Sequence, residues 1–159
     1  MSLGMSIKVN GTERVFSVLK GIKSVPADLR EPFNECGVIL RNSWAQNFKA
    51  QGRPNKWSGL KASTQADRKR NKFNPESPIG VQTGEMMKAL TTGKGKGAIN
   101  SIGKQKASFG SESVKAVVFN FGRNKGSKQK ARETVMLNDK DGNKIVNAFR
   151  KFLRKKAGI

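Results

Sequence analysis

Leu29, Phe33, Cys36, Leu40, Trp44 and Phe48 recur at steps of three or four residues, and no other feature restricts the fold of this chain so tightly. The spacing places these side chains on one apolar face of an α-helix within ADLREPFNECGVILRNSWAQNFKAQG. Asp28 and Glu31 resemble a capping pair at its start. Pro32 is tolerable only near a first turn, so the regular helix is expected to begin around there. Gly52 followed by Pro54 ends it.

The flanking segments alternate between strand and helix signals. Asn10-Gly11 sits between two β-favouring runs and supplies the positive φ of a type I′ turn, which predicts a hairpin over 6–10 and 13–19. Trp57 and Leu60 lie across a Ser58-Gly59 turn, after which Thr64 and Asp67 form a capping signal for a short, very basic helix in QADRKRNKF. Pro75 and Pro78 close that segment. Thr83-Gly84 precedes EMMKALTT, a helix with Met86, Met87 and Leu90 on its apolar side. GKGKG at 93–97 reads as a flexible basic tip, and KASFGSESVKAVVFNFG as a hairpin whose second strand, near 114–119, is buried on both faces. ARETVMLN is expected as a last strand, and DKDGNKIVNAFRKFLRKKAGI as a final helix with Ile145, Ala148, Phe149, Phe152 and Leu153 inward. The expected architecture is an α+β fold in a single domain over 1–159. Its order is N-terminal β-hairpin, long helix, basic loop with short helices, antiparallel β-meander and C-terminal helix. The first four residues, MSLG, read as a cloning remnant outside the fold, and 91–98 and 122–130 as mobile loops.

Composition narrows the chemistry. With 159 residues, 35% hydrophobic content and a mean hydropathy of −0.60, the chain is lean, but 9 Phe and 2 Trp suffice to anchor a core. Against 11 acidic residues stand 32 Lys and Arg, a net charge of +21 that attracts nucleic acid, an anionic membrane or an acidic protein. Histidine is absent, which removes the usual general base and transition-metal ligand. The single cysteine, Cys36, lies on the apolar helix face and reads as a small buried hydrophobe rather than a nucleophile. No cofactor and no metal are expected. No apolar run approaches the ~20 residues of a membrane span, and no signal peptide is visible, so a reducing cytoplasm is the expected compartment.

Several tempting motifs fail on spacing. GKGKG lacks the Gly-x4-Gly-Lys-Ser/Thr frame of a phosphate loop. Asp139 and Asp141 in NDKDGNK hint at a calcium loop, but the glycine offset is wrong and the closing glutamate is missing, so a turn and helix cap is expected. The basic runs at 68–72, 122–130 and 150–156 can grip phosphates without reading bases, since no helix-turn-helix, zinc-finger or ribonucleoprotein pattern accompanies them. Trp57 is expected to fold back onto the core.

Taken together, two patterns resemble the phage virion-morphogenesis, or tail-completion, family. One is KWSGLKAST, a basic stretch and VQTGEMMKAL, which is similar to a W-x-x-L-x-x-x-T element followed by a basic helix and a TG-x-[LM] helix start. The other is SFGSESVKAVVFNFG, a basic loop, ARETVML and a final helix. By position Trp57, Leu60, Thr64, Thr83, Gly84, Gly110, Gly122, Ala131, Arg132, Val135 and Leu137 match. Lys115 stands where the family usually has tyrosine, and Lys130 replaces a proline.

The resemblance implies a structural protein without enzyme chemistry, located in the tail or neck of a virion and assembled in the host cytoplasm. It also implies homo-oligomeric rings, often six-fold, that meet other tail and neck proteins around the DNA channel. On this reading Arg68, Lys69, Arg70 and Lys72, with Arg123, Lys125, Lys128 and Lys130, face a partner subunit, an acidic tail surface or DNA. Thr64 would cap the basic helix, a contribution of about 1 kcal/mol. No small-molecule substrate and no membrane enter. The alternative is a free-standing basic nucleic-acid-binding protein, for which the charge alone suffices.

Overall fold

The computed structural model describes residues 28–122 and 131–157. The predicted N-terminal hairpin therefore lies outside the described residues, as do Arg123, Lys125, Lys128 and Lys130. Among the described residues, five helices and one two-stranded antiparallel sheet make an α+β fold: α1 (Arg30–Ala50), α2 (Ala62–Arg70), α3 (Glu85–Thr92), β1 (Ala98–Ile102), β2 (Ala107–Ser111), α4 (Val114–Phe121) and α5 (Asp139–Ala157).

The long helix α1 is the axis of the molecule, and the predicted apolar face is the face it buries. Its first half packs on α5, where Leu29, Cys36, Phe149, Phe152 and Leu153 form one cluster with Phe33 and Ile145 at its edge. Phe33 meets Phe149 edge-on at 5.6 Å. Burial pushes the Cys36 thiol up to about 12, so it behaves as the expected core hydrophobe. The second half, with Leu40, Trp44 and Phe48, packs on Leu90 of α3 and Phe109 of β2. Ile145 touches both clusters and joins them.

The helix ends carry more detail than the capping expectations. Glu31 does not cap α1; it pairs at 2.9 Å with Lys155 from the far end of α5. Asp28 alone reaches back to the Arg30 amide, at 3.1 Å, and its Arg30 contacts hold its carboxyl down to about 2. Asn138 caps α5, accepting the Asp141 amide at 2.8 Å, with Asp139 and Asp141 in the first turn, as a turn-and-cap reading requires. Asp141 is buried, which works against its charge, yet hydrogen bonds from Ser43 and Lys144 bring its pKa below the ordinary value.

At the end of α2, Lys72 takes a left-handed φ of 59°. Its amide donates to the Lys69 carbonyl and that of Phe73 to Arg68, a Schellman pattern with lysine where glycine is usual.

Two predicted strands are not strands. The segment 114–119 is helical, within α4. Because nearly every residue there is apolar, the sequence has no period to separate strand from helix. As a helix it buries Ala116 and Asn120 on one face, four residues apart. The hairpin forms instead between β1 and β2, with Ala98 opposite Ser111 and Ile102 opposite Ala107, so part of the expected 91–98 loop is strand.

ARETVMLN is not a strand and bends at Val135; the backbone of Glu133, Thr134 and Val135 is held instead by two buried asparagine side chains. Asn47 of α1 donates to the carbonyls of Glu133 (2.7 Å) and Thr134 (3.1 Å). The Asn120 carboxamide oxygen of α4 accepts the amides of Thr134 (2.8 Å) and Val135 (2.9 Å) and the Thr134 hydroxyl (3.1 Å).

Replacing Asn47 with Leu leaves two carbonyls without their donor and is expected to lower the unfolding free energy in urea by about 3 kcal/mol. A loss below about 1 kcal/mol would show that 131–138 is held by other means. Lys72→Gly relieves the left-handed lysine and is expected to raise stability in the same titration by about 0.5–1 kcal/mol.

Candidate functional site

Beyond α1, the chain turns sharply. Gly52 has φ +111°, and a Cβ there would stand 2.5 Å from the Asn55 carbonyl oxygen and 2.6 Å from the Trp57 nitrogen, so only glycine permits the return. The Trp57 amide then donates to the Gln51 carbonyl at 2.8 Å. The indole stands edge-on between Phe48 (5.7 Å) and Phe119 (5.4 Å), folded onto the core as expected. Phe119 belongs to α4, so one tryptophan ties the end of α1, the following loop and α4 together.

On the other side of Phe119 the chain leaves an open cleft of ≈ 620 Å³. The turn before α2, the helix α2 itself, the 80–84 loop, α3, α4 and the start of the 131–138 segment all contribute to its wall. Leu60, Met86 and Phe119 supply the apolar lining; Ser58, Thr64, Gln82 and Thr83 supply polar groups. Among the described residues four cations line it, Lys61, Arg68, Lys115 and Arg132, and no carboxylate does.

Two of these arginines are fixed by the fold. The Arg132 amide donates to the Phe119 carbonyl at 2.9 Å, and its guanidinium lies 5.6 Å from the centre of the Phe119 ring. Its Nη2 donates to the Ser58 carbonyl at 3.2 Å. Burial draws the pKa of Arg132 below its ordinary value.

Arg68 is only 4% exposed, and its Nη1 donates to the Ser77 carbonyl at 2.5 Å. Among the described residues its buried Nε has no hydrogen-bond partner, and no carboxylate forms an ion pair with it. Gly80 closes the wall at φ +79°, where a Cβ would lie 2.9 Å from the Phe119 ring.

The cleft gathers residues that lie far apart in the sequence. Leu60, Thr64, Thr83, Gly84 and Arg132 line it, and Trp57 backs it through Phe119. Gly110 sits in β2 opposite Ile99, Gly122 terminates α4, Val135 packs on the second core cluster, and Ala131 and Leu137 are exposed.

Thr64 is not a cap. The N-terminal flank of α2 is Lys61, whose carbonyl accepts the amides of Thr64 (2.9 Å) and Gln65 (3.1 Å), so Thr64 lies inside the first turn with its side chain at the cleft. The basic triplet also divides. Lys69 and Arg70 are exposed, as is Lys72, and Arg70 pairs with Asp67, whereas Arg68 is buried and faces no partner across open solvent. Nothing in the sequence placed Lys115, Phe119, Gln82 and Met86 at one site, because the expected strand over 114–119 and the distant 80–86 segment converge only through the tertiary fold. Among the described residues, no cluster of His, Cys, Asp and Glu could hold a metal ion, and no helix is long and apolar enough to cross a membrane.

The described residues thus form an α+β fold with a cation-lined cleft and widely exposed basic residues. The model of the phage virion morphogenesis family matches residues 10–156, and the chain belongs to that family. No curated protein and no solved structure gives a significant match.

Since Thr64 caps nothing, Thr64→Ala is expected to change stability by less than about 0.5 kcal/mol in thermal or urea unfolding. A loss near the ~1 kcal/mol of a true N-cap would restore the capping role.

Proposed function

We propose that this chain is a structural part of a phage virion that completes the tail or forms part of the head–tail joint, as a subunit of a ring around the DNA channel. The observation that carries this reading is the family match across residues 10–156. The remaining features are compatible with it. A +21 chain repels copies of itself in solution but tolerates close packing beside DNA or acidic neighbours. Exposed cations stand on two separate elements, Lys69 and Arg70 on α2 and Arg150, Lys151 and Arg154 on α5, so a subunit can address more than one partner.

The part played is mechanical rather than catalytic. The cleft hydroxyls of Ser58, Thr64 and Thr83 have no imidazole to activate them, since histidine is absent from the sequence. The site of action is then the virion tail or neck, with assembly in the host cytoplasm, and the neighbours are other tail and neck proteins. A free-standing nucleic-acid binder remains the competing account; the net charge supports it and no particular site does.

Light scattering at physiological salt, with and without a DNA duplex of fixed length, separates the two. A closed oligomer, near six copies by the family resemblance and indifferent to DNA, is the expected result for the ring. Monomers that load onto DNA in proportion to its length would overturn it. The double change Lys69→Glu, Arg70→Glu is expected to leave the far-ultraviolet circular dichroism unchanged and to abolish ring formation or particle completion; normal particle yield would remove α2 from the docking surface.

A further inference from the structure

The cleft holds a charge imbalance that the described residues do not resolve. Arg68 is 4% exposed, a place where a guanidinium is ordinarily paired with a carboxylate. Here two of its nitrogens reach only backbone carbonyls, of Ser77 and Pro78, and the buried Nε reaches nothing. Lys115 and Arg132 add charge to the same wall, and the ion pairs among the described residues all lie elsewhere, at Asp28, Asp67, Asp141 and Glu31. An anionic group entering the cleft would gain these cations without displacing an internal partner.

We propose that the cleft receives an acidic peptide segment of a neighbouring virion protein. Its carboxylate meets Lys115 and Arg132, with the buried Arg68 guanidinium adding positive charge from within the wall, and an adjoining apolar side chain rests on Leu60, Met86 and Phe119. The partner's place in the virion rests on the assembly role above; the chemistry of the site does not.

Shape selects a peptide over nucleic acid. A concave site of ≈ 620 Å³ lies in the size range of pockets that enclose small ligands or short chain segments, and its lining is part apolar. A duplex presents phosphates on a convex surface and meets protruding lysines more readily than a recessed arginine. A second copy of this chain is a poor donor. It carries only 11 acidic residues against 32 basic ones, and Asp28, Glu31, Asp67 and Asp141 are already engaged. Charge complementarity therefore points to a different, acidic protein.

The test uses the full chain and a fluorescein-labelled peptide of alternating Glu and Leu, with the Gln–Leu counterpart as control, read by fluorescence anisotropy at physiological salt. Lys115 is exposed at the start of α4, and its replacement leaves the fold intact. Lys115→Glu is expected to weaken Glu–Leu peptide binding about tenfold, whereas Lys69→Glu, an equal change of charge outside the cleft, weakens it less than about twofold. Arg132→Gln, checked for folding by circular dichroism, is expected to weaken binding by a similar factor to Lys115→Glu.

Equal losses at positions 69 and 115 would reduce the effect to general surface charge and overturn the site. So would a Gln–Leu peptide that binds as well as the acidic one. A DNA oligomer that displaces the peptide and itself loses affinity through Lys115→Glu would reassign the cleft to nucleic acid. Failure of peptide binding in a protein that still closes into a ring sinks the cleft and spares the assembly role. Cleft-specific binding in a protein that loads onto DNA by length supports the site and sinks the ring.

Discussion

Two buried asparagines tie the segment around Thr134 to the helices α1 and α4. Asn47 on α1 and Asn120 on α4 grip the same backbone stretch from opposite sides, one through its amide nitrogen at the Glu133 and Thr134 carbonyls, the other through its oxygen at the Thr134 and Val135 amides. The Thr134 side chain is fully buried between them. A strand partner would have satisfied the same groups, but the only sheet among the described residues is the β1–β2 hairpin. Buried peptide groups are costly without partners, so the carboxamides are what allow the backbone around the buried Thr134 to do without a strand partner. Arg132 lies just before the gripped residues, its amide on the Phe119 carbonyl, and so its guanidinium reaches the cleft at a fixed height.

The cleft is thus a by-product of how α4 is anchored. Trp57 presses on one side of Phe119 and Arg132 lies over its ring, while Gly80 comes close enough to the ring to exclude any larger residue. The two arginines of the cleft are held by backbone carbonyls and an aromatic face rather than by carboxylates. Such an arrangement orients a buried Arg68 and a half-buried Arg132 without neutralising them.

The helical core was legible because its pattern is periodic and unambiguous. The α1 stripe from Leu29 to Phe48 and the α5 face from Ile145 to Leu153 are both buried as their spacing dictates. The resemblance carried by Trp57, Leu60, Thr83 and Arg132 also led to the family, and these residues do converge on one place. Illegible were the positions where local propensity conflicts with tertiary demand. VKAVVFNF is β-branched and aromatic and reads as strand, yet it is helical, and only the helix puts Asn120 at Thr134. Thr64 and Asp67 satisfy a capping pattern, but the helix starts early enough to carry Thr64 into its first turn. Arg68 sits in a basic run that reads as solvated surface and is instead nearly sealed, because the 77–78 carbonyls fold over it.

The sequence by itself determined the class of protein: a basic, histidine-free α+β chain of the virion morphogenesis family, built on one long amphipathic helix. Periodicity and composition are properties of neighbouring residues, and they survive being read in one dimension. The tertiary structure alone decided which strands exist, which arginine is buried, and that Lys115, 47 residues after Arg68 in the chain, lines the same cleft. Those outcomes depend on which distant backbone groups need a partner and which side chain reaches them first, and no local pattern encodes that choice.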